Sequence, residues 1–180
     1  VKGKKTKYEI KFVDVNYESE EFKDIMRDLD GFSYSGKNYF NNEFYTYIKN
    51  YFFNDIKILD KNDMNLIFEK RSDDIRKNYL SLPENLPNRV TALAVDITKN
   101  YDNNYDKLKA IEAYLNTYTY TTNPVKTPKG KDFVDYFLFD QKEGYCTYFA
   151  SSMAVMGRCI GIPTRYVEGI NADYKNSNND

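Results

Sequence analysis

Cys146 is the residue of this sequence whose type and position point most directly to chemistry. It stands at the start of a predicted helix, where free backbone N–H groups and the positive end of the helix dipole favour a thiolate. A thiol in that setting, paired with a cation, titrates at about 3.5–7.5 instead of about 8.5. Gly144 leaves room for a substrate to approach the backbone. Position alone leaves a second interpretation open, because a lone cysteine on the inner face of a helix is often a small buried hydrophobic residue.

The other residues that could do chemistry predict no metal and no cofactor. The chain has two cysteines and no histidine. Cys159 lies on the same predicted helix, about 20 Å from Cys146 at ~1.5 Å per residue. A disulfide needs Cα atoms within about 7 Å, so the two are not bonded, and we interpret Cys159 as a packing residue. The turn-like residues 60–63 lack the spacing of a calcium loop, and no glycine-rich loop indicates a nucleotide site.

Composition narrows the class of partner. The formal net charge is −1 with both signs interspersed, which argues against a nucleic-acid surface. We interpret the lysines of residues 2–7 as a solvated tail in preference to a membrane-surface patch. The sequence begins at Val1 and has neither a signal peptide nor an apolar run of the ~18 residues that span a bilayer. We therefore expect a soluble segment of a longer protein, reaching a membrane only through segments outside this chain.

The elements that would position Cys146 indicate an α+β fold, with a change of character near Pro83 and Pro87. We divide the chain into residues 1–78, an α+β region of unknown role, and residues 79–180, the N-terminal half of a second domain. In the first region, apolar residues that alternate with charged ones, or that form a triplet, predict strands. Apolar residues that recur every three to four residues predict a helix that stops at Gly31. The predicted strands are 8–12, 56–59 and 66–68, with a turn at 60–63; the helix covers 22–29, and 44–53 fits either type.

The second region is more strongly helical. Pro87 opens one predicted helix, Asn103 or Asn104 caps the next, and short elements follow before a helix from Cys146 to about Ile160. The short elements are a strand at 118–122 and a helix at 133–137, and a further strand is predicted at 164–170. Spacing predicts this inner face for the cysteine-bearing helix: Cys146, Phe149, Ala150, Met153, Ala154 and Gly157.

A longer pattern around Cys146 resembles a known family, the transglutaminase-like superfamily, and in particular its bacterial, often membrane-anchored branch. The resemblance covers about residues 79–170 and is carried by Tyr79–Pro83, Tyr118–Tyr120, Asp135–Phe139, Gly144–Arg158 and Gly161–Val167. It implies a papain-like core, in which the cysteine-bearing helix packs on an antiparallel sheet. That core would be incomplete at the C-terminus of this chain.

The resemblance also implies roles for individual residues. Cys146 would be the nucleophile, with its own backbone N–H in the oxyanion hole. Gln141 or Tyr145 would add a second donor, or else both are ordinary loop residues. Arg158 and Arg165 would pair with acids or backbone carbonyls. Gly157 departs from the large apolar residue usual in the family, which predicts a close contact or a looser helix.

Two functions follow, and they belong to different classes. The first is a thiol enzyme that forms a thioester with protein or peptide amides and resolves it by transfer or hydrolysis. In this family the base is a histidine after the cysteine helix, oriented by an acid, so we expect the 180 residues alone to be inactive. The alternative is a non-catalytic module that binds protein or cell wall. The resemblance further implies an extracellular or cell-surface location, and an incomplete sheet would favour oligomers or domain swapping.

Overall fold

The computed structural model describes residues 16–28 and 61–169, and these form helices around one small sheet. Predictions at residues 8–12, at Gly31, and at 44–59 lie outside this part. The elements in chain order are α1 (Glu20–Asp28), α2 (Lys61–Tyr79), α3 (Asn88–Thr98), α4 (Asn104–Leu115), β1 (Thr119–Tyr120), α5 (Phe133–Tyr136), a π-helical turn (Phe137–Gln141), β2 (Glu143–Gly144) and α6 (Cys146–Cys159).

The core forms where α3, α4 and α6 pack together. Their apolar residues recur at helical spacing, so each helix presents one stripe to the other two. Each large side chain that is fully buried there contributes about 1.5–3 kcal/mol through removal from water. The buried core consists of Val90, Ala94, Ile111, Leu115, Val134, Phe137, Leu138, Tyr148 and Met156.

The predicted helix starts in this core are confirmed. α3 begins directly after Pro87, whose extended backbone (φ −60°, ψ 132°) precedes the first turn. Asn103 caps α4, since its Oδ1 accepts a hydrogen bond from the backbone N–H of Asp106 at 2.8 Å. An amide cap of this kind satisfies one of the N–H groups that a helix leaves free at its start. Arg27 of α1 donates to Asp106 at 3.3 Å, which joins α1 to α4.

The sheet of the described residues has two parallel strands. Thr119 lies opposite Glu143 and Tyr120 opposite Gly144. The backbone N–H of Thr121 donates to the Gly144 carbonyl at 2.8 Å. The combination of helices with a sheet is thus confirmed, whereas no antiparallel sheet occurs within residues 16–28 and 61–169. The pairing anchors the loop that leads into Cys146.

Two predicted strands are wrong. Residues 66–68 lie inside α2, and so do residues 61–63 of the predicted turn. An apolar triplet cannot distinguish a strand from a helix, and Met64, Ile67 and Phe68 also have helical spacing. Residues 164–169 follow α6 without strand pairing. A strand exists only where a neighbour completes its hydrogen bonds, and here the N–H of Thr164 donates to the Tyr79 carbonyl at 3.1 Å.

An ion pair fixes the segment that precedes Cys146. Arg89 of α3 donates from Nε and Nη2 to the two carboxylate oxygens of Asp135, at 2.5 and 2.6 Å. Asp135 is buried, and the Arg89 guanidinium also lies 4.2 Å from the centroid of the Phe139 ring. The hydrogen bond to Asp135 is the largest cause of the raised pKa of Arg89. Two parallel hydrogen bonds set orientation as well as distance, so α5 and the π-helical turn have a defined position on α3.

Arg158 behaves as the resemblance implies. It donates to the backbone carbonyls of Ser81 and Thr164, at 2.9 and 2.8 Å. It thereby ties the end of α6 to the segments on either side. Arg165 forms no ion pair or hydrogen bond with any described residue, so its pairing stays a prediction. None of the helices described is long and apolar enough to cross a membrane.

Gly157 makes the close contact that its departure from the family pattern predicts. A Cβ there would lie 2.7 Å from Cγ2 of Thr164. Thr164 cannot easily yield, because its hydroxyl donates to the Ala154 carbonyl at 2.6 Å and accepts from Arg158 at 3.3 Å. We therefore expect Gly157→Ala to lower the free energy of unfolding by about 1–3 kcal/mol through overpacking.

Helix propensity alone predicts the opposite sign, a gain of about 1 kcal/mol for alanine. Thr164→Ser removes the opposing methyl group and keeps the hydroxyl. In that background Gly157→Ala should be neutral or stabilising, as measured by urea denaturation of all four proteins. An equal loss in both backgrounds would mean that Thr164 is not the cause.

Candidate active site

Cys146 is the first residue of α6, and its side chain is exposed. No side chain caps this helix; Tyr145 stands at the N-cap with an extended backbone (φ −115°, ψ −176°). The Tyr145 carbonyl accepts from the N–H of Tyr148 at 2.8 Å. The first-turn N–H groups are therefore not occupied by a capping side chain. An exposed thiol beside such groups has the arrangement needed for attack on a carbonyl and for stabilisation of the resulting oxyanion.

Gly144 sets the position of the thiol for a reason that sequence reasoning missed. We expected it to make room for substrate, but a Cβ there would lie 2.5 Å from Cγ of Tyr148 in this chain's own first helical turn. Gly144 is also buried and paired in β2. The loop can therefore reach Cys146 by this path only with glycine at residue 144.

Aromatic rings pack around Tyr148 at the start of α6. The Tyr148 ring is buried and lies 4.6 Å from the ring centroid of Phe133, 5.6 Å from Phe137 and 5.0 Å from Tyr145. Tilted and edge-on pairs at these distances are favourable beyond their buried area. The cluster holds the helix start from the side opposite the thiol.

The buried face of α6 differs from the predicted one. The residues buried along it are Tyr148, Ser152, Met156 and Gly157. Of the predicted face only Gly157 is buried, whereas Cys146 and Ala150 are exposed. This face is buried because Tyr148 and Met156 have a larger apolar area, and so gain more free energy from burial than the small residues do. This rotation leaves Cys146 open to solvent.

A hydroxyl that is bonded to a carboxylate lies near Thr147, the residue after Cys146. The Tyr166 hydroxyl lies 3.4 Å from Oγ1 of Thr147 and donates to Oε1 of Glu168 at 2.6 Å. The pKa of Tyr166 is raised, chiefly by this bond to Glu168, and the negative charge of a Cys146 thiolate acts in the same direction. Sequence reasoning assigned no role to either residue, although their two-residue spacing in the segment that follows the helix was a usable signal.

The two candidate oxyanion donors differ in their surroundings. The side-chain amide of Gln141 donates to the Val125 carbonyl at 2.7 Å, so it holds a neighbouring loop. Tyr145 is 36% exposed, and its ring packs on Tyr148. Its hydroxyl has no hydrogen-bond partner among the described residues. The role of either residue as a donor stays a prediction.

Cys159 lies in a different setting at the far end of α6. It is half-buried, packs against the core and accepts a hydrogen bond from the Thr91 hydroxyl at 3.4 Å. Both thiols are free, in agreement with the exclusion of a disulfide. Within residues 16–28 and 61–169 there is no group of three or more cysteines, aspartates or glutamates that could hold a metal ion.

Two clefts are formed by described residues. One of about 690 Å³ lies between α2 and residues 163–165, and its lining includes Lys70, Arg71 and Arg165. The other, of about 350 Å³, lies between α4 and α6 beside Phe149 and Met153. Cys146 lines neither of them, so the described residues leave its thiol on an open surface.

Comparisons with known proteins point to one family. Residues 91–180 match the family model described as the transglutaminase-like superfamily. The uncharacterized protein YebA of Bacillus subtilis (strain 168) is 44% identical over an alignment of 124 residues that covers 62% of this chain and 17% of that protein. A protein-glutamine gamma-glutamyltransferase of Pseudomonas aeruginosa is 36% identical over 96 residues, 52% of this chain and 14% of that protein.

A solved structure is also similar. The crystal structure of the periplasmic domain of TgpA from Pseudomonas aeruginosa has a TM-score of 0.46 and 33% sequence identity. The match covers 51% of this chain and 32% of that one. The chain spans less than a fifth of the length of the two curated relatives that it matches.

Proposed function

Because this chain belongs to the transglutaminase-like superfamily, we propose that Cys146 is the nucleophile of an enzyme that transfers or hydrolyses acyl groups of protein and peptide amides. The observation that carries the proposal is the family match over residues 91–180, which contains a helix whose first residue is an exposed free cysteine. The name of the Pseudomonas aeruginosa relative supports the glutamine side chain as the acyl donor.

The proposed reaction has two steps. The Cys146 thiolate attacks the carboxamide carbon, and the tetrahedral oxyanion is stabilised by backbone N–H groups at the start of α6. Its collapse breaks the C–N bond; the nitrogen takes up the proton that a base removed from the thiol, and it leaves as ammonia. The thioester is then attacked by an amine or by water; the C–S bond breaks and the thiol is restored.

Proton transfer in both steps requires a base. The family uses a histidine oriented by an acid, and these 180 residues contain no histidine. We propose that both groups come from sequence outside the 180 residues. An extracellular or cell-surface location is part of the proposal and rests on resemblance to the bacterial, membrane-anchored branch.

A second candidate function is a non-catalytic binding module on the same scaffold. The absence of histidine favours it. The exposed ring of Tyr120 beside Phe149, 6.1 Å between centroids, would suit a binding surface near the thiol. The two functions differ in whether Cys146 becomes acylated.

The test is to trap the thioester on the natural protein that contains this chain. Trypsin cuts after Lys142 and Arg158, which places Cys146 and Cys159 on separate peptides. After a brief incubation with a glutamine-containing peptide and an acid quench, we expect the acyl group on the Cys146 peptide and none on the Cys159 peptide. The mass shift should disappear with hydroxylamine. An unmodified Cys146 under these conditions would favour the binding module.

A further inference from the structure

Glu168 brings a negative charge to the edge of the Cys146 site. Its carboxylate accepts from the Tyr166 hydroxyl at 2.6 Å, and that hydroxyl lies 3.4 Å from Oγ1 of Thr147, the residue next to Cys146. One phenol therefore connects the carboxylate to the first turn of α6. Both Tyr166 and Glu168 are exposed, so the carboxylate faces the solvent from which a second substrate arrives.

This charge is not neutralised by a neighbour. Glu168 forms no ion pair with any residue in the described part of the chain. Its partner there is the neutral hydroxyl of Tyr166. Arg165 is the cationic residue closest to Glu168 in sequence, and it lines the cleft against α2 together with Lys70 and Arg71. Among the described residues, Glu168 is therefore an unpaired carboxylate that Tyr166 holds close to the first turn of α6.

We propose that Glu168, held in position by Tyr166, selects the molecule that resolves the Cys146 thioester and favours positively charged amines over neutral or anionic ones. This inference rests on the proposed function and adds the residue that determines the acceptor. An ammonium group gathers near the carboxylate and loses a proton to solvent. The neutral amine then attacks the thioester carbonyl: a C–N bond forms, the C–S bond breaks, and the sulfur takes up the proton that the nitrogen releases.

The effect of the Glu168 charge on reagents that approach Cys146 can be measured without catalysis. Three methanethiosulfonates of similar size, one cationic, one neutral and one anionic, are reacted with the natural protein, and modification is followed on the tryptic peptide that contains Cys146. Dividing by the neutral rate removes any change in the thiolate fraction. We expect Glu168→Gln to lower the cation-to-anion rate ratio about 3- to 10-fold at low salt, and less at high salt.

Glu84→Gln is the matched control. Glu84 is also exposed and lies near Ser81, whose carbonyl binds Arg158 at the far end of α6. The substitution Glu84→Gln changes the net charge as much as Glu168→Gln does, and it should leave the cation-to-anion rate ratio unaltered. Tyr166→Phe should move the ratio in the same direction as Glu168→Gln, by less, because the carboxylate stays but loses the bond that positions it. An unchanged ratio in Glu168→Gln, or an equal change in Glu84→Gln, would overturn the inference.

Catalysis separates this inference from the function on which it rests. With one glutamine donor, incorporation of 1,5-diaminopentane is compared with that of 6-aminohexanoate and with hydrolysis. We expect Glu168→Gln to reduce the preference for the diamine about 3- to 10-fold while acylation of Cys146 continues. If the wild-type protein shows neither acyl transfer nor hydrolysis that depends on Cys146, the proposed function fails. If it is active but the preference does not change, only the role of Glu168 fails.

Discussion

Replacement of Cys146 by alanine is expected to lower kcat/KM for amine incorporation or ammonia release by about 10⁴- to 10⁶-fold. The other thiol, Cys159, lies at the far end of α6, and losses of this size are typical when a nucleophile is removed from a catalytic set. The side chain is exposed, so the free energy of unfolding should change by no more than about 0.5 kcal/mol. Activity and urea denaturation, measured on the same preparation, check both expectations.

Cys159→Ala is the control for thiol chemistry in general. Cys159 lies half-buried against the core with a hydrogen bond from Thr91, so its replacement should cost some stability and leave kcat/KM within about twofold. A Cys146→Ala protein that kept more than about a tenth of wild-type activity would rule out Cys146 as the nucleophile. A large loss of kcat/KM in a fully folded Cys159→Ala protein would indicate that Cys159, and not Cys146, is the nucleophile.

Gly144→Ala is expected to reduce kcat about 100-fold in a protein that still folds. The new Cβ would lie 2.5 Å from Cγ and 2.7 Å from Cβ of Tyr148. The Tyr148 ring cannot move away, because Phe133 and Tyr145 pack on it. The loop must shift instead, and it carries Cys146 with it. A displacement of about 1 Å at a reacting group costs on the order of 10²-fold in rate.

Gly130→Ala is the matched control for this substitution. Gly130 has φ +85°, and a Cβ there would meet no atom within 4 Å. Alanine should cost about 1–2 kcal/mol of stability through the left-handed backbone and leave kcat unchanged. Circular dichroism and steady-state kinetics on both variants separate a shifted thiol from a weakened fold. Wild-type kcat in folded Gly144→Ala would show that the loop tolerates a side chain there.

Local sequence was enough to predict much of what surrounds the thiol. The helices after Pro87 and Asn103 and the helix from Cys146 follow from apolar spacing and caps, which act within about four residues of the chain. The same spacing placed a thiol at a helix start, and a long run of matching residues identified the family. The division at residues 78 and 79 stays a prediction.

Tertiary structure decided the rest, because several of the deciding contacts join residues distant in sequence. The pairing of β1 with β2 depends on how the intervening residues fold back, and so does the absence of strand pairing at 164–169. The face of α6 that is buried is the one whose large side chains remove the most apolar area from water, and the spacing of the small residues does not reveal it. Gly144 is required by the ring of Tyr148, and Glu168 is connected to the first turn of α6 through the hydroxyl of Tyr166, which lies near Thr147. The sequence by itself determined which residue could be the nucleophile; packing determined which groups surround it.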